Sequence, residues 1–232
     1  MPAYASAMSG WLPLIATFAL FLAAHAIPMR PGVRGPLVAT LGRGGYLALY
    51  SLLSAGLIYA LILSVNAAPV IPIWGPALRQ RWLVNLVMPV AVLLTVFGVG
   101  APNPFGLGGR GAGFDPAHPG IAGVTRHPLM WAFALWSGAH LVANGDLAHV
   151  LFFGALLVFA VIGLAAGEAR ARRSPGFARN AARTSLIPGA ALLTGRWRPR
   201  GFPSPLRLGI AVAAWLLLLW LHPPVIGVSP LP

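Results

Sequence analysis

Residues 125–168 read TRHPLMWAFALWSGAHLVANGDLAHVLFFGALLVFAVIGLAAGE, and this stretch decides the fold. Two apolar runs, 128–143 and 147–167, flank Asn144-Gly145-Asp146, a turn-forming sequence. Each run is close to the roughly 20 apolar residues that carry a helix across a bilayer. Together they predict a helical hairpin in lipid. Pro128 stands where a helix tolerates proline, because the first-turn N–H has no helical partner. Just before it is His127, and just after the second arm is Glu168. Ionisable groups at the edges of spans are costly to place, so they are candidates for a functional site.

Working outward, four more runs have the same character: 11–27, 45–66, 82–100 and 206–222. The chain is 58% hydrophobic with a mean hydropathy of +0.80, and only 8% of residues are charged. A soluble domain carries about 25% charge, so here the bilayer must be the solvent. The expectation is an all-α polytopic bundle of about six transmembrane helices, forming one domain over 1–232. An N-terminal leader is conceivable, since residues 11–23 are apolar and Ala24-His25-Ala26 has small residues around a centre. No basic side chain precedes that core and Arg30 follows it, which is the polarity of a retained span. The absence of cysteine excludes disulfides, thiolate metal ligands and cysteine nucleophiles.

All 16 basic residues are arginine, against three acids. Fourteen arginines fall in or beside the connections 28–44, 101–127 and 168–205, and only Arg79 and Arg81 lie on the opposite side. The positive-inside rule then places both termini outside the cytoplasm, in a bacterial-type inner membrane. The net charge of +13 is thus explained by topology and membrane lipid, with no nucleic-acid partner. The connection 101–126, rich in glycine and proline, reads either as a cover for a cytoplasmic mouth or as a flexible linker. Residues 177–186 have amphipathic character that suits a membrane surface.

The histidines carry most of the chemical interest. His25 lies near the end of the first span, with Phe18 and Phe21 on its helical face. His140 lies thirteen residues after His127, with Trp136 and Ser137 on its face. His149 and His222 stand at span ends, where a plain hydrogen-bonding role suffices. Two imidazoles from different helices, flanked by aromatics, suit the axial positions of a haem iron. Arg126, His127 and Glu168 admit two readings: a salt bridge that closes the hairpin, or a catalytic group meeting an anionic substrate. There is no phosphate-binding glycine loop, no HExxH and no Gly-x-Ser-x-Gly.

Several segments together resemble the NnrU family and its relatives, the 15-cis-zeta-carotene isomerases. They are His25, the run from Gly44-Gly45-Tyr46 to Leu52, and Arg126-His127-Pro128 through Trp136 to Ala139-His140-Leu141. Arg183-Thr184-Ser185-Leu186-Ile187-Pro188 and the closing His222-Pro223 also match. The resemblance implies a haem b membrane protein with His25 and His140 as axial ligands. It implies a link to nitrogen-oxide metabolism (denitrification), or iron-assisted cis–trans isomerisation of a carotenoid-like polyene. The isomerases place a cysteine three residues before the second histidine, as an alternative ligand; Ser137 stands there in this chain. Depth complicates the pair, because thirteen residues at 1.5 Å each put His140 about 20 Å beyond His127 in a straight helix. His25 with His127 is the depth-matched alternative.

The Arg-His-Pro hairpin followed by a glutamate also resembles membrane methyltransferases of the isoprenylcysteine type. That resemblance implies S-adenosylmethionine held by Arg126, His127 and Glu168, and a lipophilic substrate. This chain departs from it in having one glutamate where a pair is common, and Leu129-Met130-Trp131 where a tyrosine is expected.

Overall fold

The computed structural model describes residues 2–28 and 30–232, with side chains from Gly10 onward. Its elements are helices: α1 (Pro2–Ala26), α2 (Pro31–Ala67), α3 (Leu78–Gly98), α4 (Ile121–Val124), α5 (Pro128–Ala143), α6 (Leu147–Arg172), α7 (Phe177–Ala181), α8 (Ala190–Leu193) and α9 (Pro205–Ile226). Each expected span coincides with a helix. Four of these helices, α2, α3, α6 and α9, are long and apolar enough to cross a membrane. The apolar part of α1 (Gly10–Ala26) and all of α5 are shorter. The lipid-type surface of α2, α3 and α9 is evident in Leu52, Leu86 and Trp220, which are 72%, 67% and 71% exposed. Such side chains gain their burial from lipid rather than from protein.

Local sequence sets the helix ends. Proline opens α2, α5 and α9, where its fixed φ is already helical. Helix α2 is broken at Gly42, whose φ of 68° lies in the left-handed region, and the expected span 45–66 begins just past that kink. Ala77 donates its N–H to the Gln80 side chain at 2.7 Å, satisfying one orphan donor at the start of α3. Asn144 returns its side chain to the His140 carbonyl at 2.8 Å and closes α5.

The chain forms two compact units. The first comprises Met1–Ile73 with Asp146–Ala148 and is built on the packing of α1 against α2. The second comprises Trp74–Gly145 and His149–Pro232. There α3 packs against both α5 and α9. Ala91, Leu94 and Ala132 form the seam, with Trp131 and Leu135 against it. Small residues let these backbones approach, as is usual where lipid supplies no hydrophobic drive between helices.

Two expectations for the connections are corrected. Residues 101–126 are a folded loop, not a flexible linker. Asn103 N donates to Arg110 O and Arg110 N to Ala101 O, both at 2.8 Å, and Asn103 and Phe105 are buried. Residues 177–186 do not form one amphipathic surface helix. Helix α7 stops after five residues, and Thr184 and Ser185 become fully buried. The reason is polar demand: Ser185 N reaches Ala122 O, Gly189 N reaches Val124 O, and Arg126 N reaches Ser185 O at 2.7 Å. The segment satisfies backbone groups that short α4 leaves open.

The loop depends on close backbone approach at Gly106, where a Cβ would lie 2.5 Å from the Arg126 carbonyl and 3.4 Å from His127 Cα. Gly111 in the same loop faces open space. Gly106→Ala is therefore expected to destabilise the detergent-solubilised protein by about 1–3 kcal/mol, the usual cost of overpacking, while Gly111→Ala leaves it near wild type. Thermal unfolding followed by tryptophan fluorescence checks the contrast.

Candidate functional site

The sequence pointed to Arg126, His127 and Glu168, and the fold brings all three together in the second unit. Arg126 follows α4, His127 precedes α5, and Glu168 lies one turn before the end of α6. The guanidinium grips the carboxylate with two bonds, Nε to Oε2 at 3.0 Å and Nη2 to Oε1 at 2.7 Å. His127 Nε2–H donates to Oε2 at 3.2 Å, and Arg172 Nε donates to Oε1 at 2.9 Å. The carboxylate thus accepts four bonds, its full capacity as an acceptor. The side chains of Arg126, His127 and Glu168 are only 8%, 1% and 7% exposed.

Arg126 is held from further directions. Nη1 donates to Thr184 Oγ1 at 3.0 Å, and Thr184 in turn donates to Ala181 O at 3.0 Å. Its guanidinium carbon lies 5.7 Å from the centroid of Phe177, whose ring also receives Arg172 at 5.9 Å. Phe177 packs edge-on to Phe105, which packs edge-on to Phe114. Asn103 donates to the Arg126 carbonyl at 2.9 Å. Thr125 Oγ1 and Trp131 Nε1 both donate to the Leu186 carbonyl, at 2.9 and 2.8 Å. All four acceptor positions of Glu168 and three N–H groups of Arg126 are engaged by protein partners, so the trio ties together backbone and loops. Of the two readings of Arg126 and Glu168, this geometry favours the salt bridge, extended into a five-residue hub.

His127 sits beside Gly167, where a Cβ would come within 3.2 Å of its ring. Burial pushes the His127 imidazole below its usual value, and this outweighs the opposing pull of Glu168. It is therefore held neutral, with Nε2–H as donor.

The other candidates occupy different surroundings. His25, in the first unit, donates Nδ1–H to Phe21 O at 2.8 Å, one turn back. Its Nε2 lies 3.3 Å from the Ser54 hydroxyl, and the Phe21 and Tyr50 rings stand 4.2 and 5.5 Å away. His140, in the second unit, repeats the device: Nδ1–H donates to Trp136 O at 2.8 Å. Trp136 and Phe153 flank its ring at 5.7 and 5.2 Å. In both residues the carbonyl contact fixes Nδ1 as the donor, so Nε2 is the ring nitrogen suited to a metal. Ser137 is fully buried and donates to Phe133 O at 2.8 Å, so its hydroxyl is committed to the backbone. Among the described residues no group of three or more acid or histidine side chains is placed to hold a bare metal ion.

Sequence reasoning missed Thr184, Arg172 and Phe177 as partners of the hub. Arg172 was findable, since it lies one helical turn from Glu168. Thr184 is 58 residues from Arg126, and nothing in the local sequence points across that gap. A second polar cluster was also missed. Asp115 Oδ2 accepts from His118 Nδ1–H at 2.6 Å, and His118 Nε2 accepts from Arg200 Nη1 at 2.9 Å. The signal was an acid three residues before the one histidine remote from any span.

Apolar helices of spanning length, short buried loops and an arginine-rich set of connections define a multi-pass helical membrane protein. The chain belongs to the NnrU family, whose model matches residues 13–230 and so runs across both units. No curated protein and no solved structure matches the chain.

Glu168→Gln removes the charge that compensates buried Arg126. It is expected to cost about 3–5 kcal/mol, the range for breaking a buried ion pair. Arg172 is 63% exposed, and Arg172→Gln is expected to cost no more than about 1 kcal/mol. Thermal unfolding in one detergent distinguishes the two.

The lowered His127 pKa gives stability that is complete above the ordinary histidine value of about 6.5 and is lost as pH falls toward the depressed one. His127→Gln is expected to flatten this slope below about pH 6.5, which a series of melts against pH measures.

Proposed function

We propose that this chain is a haem b-binding membrane protein serving nitrogen-oxide metabolism, with His25 and His140 as the axial ligands. One observation carries the reading: both imidazoles are anchored through Nδ1–H to the carbonyl one turn back, at 2.8 Å. Anchoring of the second nitrogen is the usual support of a metal-ligating histidine, because it sets both tautomer and ring direction. The donor chemistry therefore fits haem iron. When bound, haem b would supply a one-electron centre whose potential the surrounding groups tune.

The protein's own contribution is to orient and to exclude water. Phe21 and Tyr50 wall the His25 ring, and Trp136 and Phe153 wall the His140 ring. The Ser137 hydroxyl, turned into the helix backbone, offers no exchangeable ligand at the position where the isomerases carry cysteine. Adenosylmethionine is not part of the proposal, because the Arg126–Glu168 hub has no acceptor left for it.

A second reading is cis–trans isomerisation of a carotenoid-like polyene. It is favoured by a run of touching rings beside His140: Phe159 to Phe133 at 6.2 Å, Phe133 to Trp136 at 5.4 Å, and Trp136 to Phe153 at 5.7 Å. Such a wall suits a flat apolar substrate.

Absorption spectra of the full chain purified in mild detergent test the proposal. The expected result is a Soret band that shifts on dithionite reduction, with sharpened α and β bands. His25→Ala and His140→Ala are each expected to lose most of that band. Full haem content in both variants overturns the ligand assignment, and a colourless protein after haem supplementation overturns the function. Turnover of a cis-polyene by the reduced protein selects the second reading.

A further inference from the structure

The folded loop before α4, the end of α3 and the first turn of α9 line an open cavity of about 300 Å³ in the second unit. Phe97, Pro102 and Ile121 give it an apolar wall, and His118, Ser204 and Arg207 a polar one. This cavity shares no residue with the Arg126–Glu168 hub or with the two anchored histidines.

Arg207 is pinned at its edge. Nη1 donates to Val96 O at 3.0 Å and Phe97 O at 2.9 Å, in the last turn of α3. The guanidinium stands 6.0 Å from the Phe97 centroid. Its Nε and Nη2 make no hydrogen bond among the described residues. Arg200 stands behind the lining residue His118, donating Nη1 to its Nε2 at 2.9 Å, and Asp115 holds that imidazole through Nδ1. Arg183 donates to Ala117 O at 3.2 Å, within the same loop. Asp115 is the only acid among three arginines, so positive charge remains uncompensated beside an apolar wall.

Positive forks that match oxygen pairs, next to apolar surface, are the complement of a tetrahedral oxyanion carried on a hydrocarbon chain. The volume is at the low end for ligand sites, enough for a headgroup and the first carbons of a chain. Stacking of a nucleobase is disfavoured, since Arg207 already lies against Phe97. We propose that this cavity binds a phosphate monoester group, with Arg207 holding the oxyanion, Arg200 adding positive charge from behind His118, and Phe97, Pro102 and Ile121 receiving the apolar chain attached to it.

The test is direct titration of the full chain in a neutral detergent, read by thermophoresis and by native mass spectrometry for stoichiometry. The probes are dioctanoyl phosphatidic acid, inorganic phosphate and dioctanoyl phosphatidylcholine. One phosphatidic acid is expected to bind per chain, about tenfold or more tighter than the choline lipid, as charge-assisted bonds to a fixed guanidinium imply. Arg207→Gln is expected to abolish that preference. Because Arg207 also caps α3, Arg200→Gln serves as the second variant. Arg200 bonds only to the exposed His118, and its loss is expected to weaken binding about tenfold with the melting temperature unchanged. Inorganic phosphate binding as tightly as phosphatidic acid assigns the same site to a soluble phosphate; a clear excess for the lipid assigns it to a headgroup. Equal binding of phosphatidic acid and phosphatidylcholine overturns the proposal. So does a preference that survives Arg200→Gln in a protein that folds normally.

Discussion

One carboxylate organises the loops of the second unit. Glu168 accepts four hydrogen bonds from Arg126, His127 and Arg172, and through Arg126 it reaches Thr184. A guanidinium buried without an anion would cost several kcal/mol, and a carboxylate buried without cations would cost as much. Each group therefore fixes the other, and the segments that carry them follow. The loop before α4 is drawn in by Asn103 and Gly106 against the Arg126 carbonyl. The segment after α7 is drawn in by Thr184 and by Ser185 O, which accepts from Arg126 N. With three acids for 16 arginines, the chain has little with which to build a second such hub.

This sets a division of labour. At the arginine-bearing ends of the helices, charge is spent on architecture, and the most conspicuous motif of the sequence, Arg126-His127-Pro128, is part of that architecture. The proposed function draws instead on imidazoles within helices, His25 and His140, each of which donates Nδ1–H to its own backbone one turn back. Membership of the NnrU family covers both units, so each histidine lies inside the matched region. The haem reading rests on imidazole geometry and leaves Arg126, His127 and Glu168 a positioning role.

The helical content was legible because lipid imposes a strong signal. A span must bury its backbone bonds internally and expose apolar side chains, so hydropathy and the Asn144-Gly145-Asp146 turn were enough to find the hairpin. The end of the first span was found within one residue, and the start of α3 was placed four residues late because Arg79, Gln80 and Arg81 hide a helical turn. The loops were not legible. Glycine and proline in 101–113 suggested flexibility, but at Gly106 glycine serves close approach to the Arg126 carbonyl. Phe177 suggested a lipid-facing surface, yet its ring is occupied by two guanidinium groups and by Phe105.

The sequence by itself determined the solvent, the helices and the short list of ionisable candidates, because composition and hydropathy are local quantities that a bilayer reads directly. It also put Arg126 and Glu168 at the same end of the helical pair, since a hairpin returns its far end to its start. Only the tertiary structure decided what that pair does. Whether a buried ion pair is open to a ligand depends on how many of its lone pairs and N–H groups other segments consume. Those partners, Thr184 above all, come from loops 58 residues away whose approach no periodicity encodes.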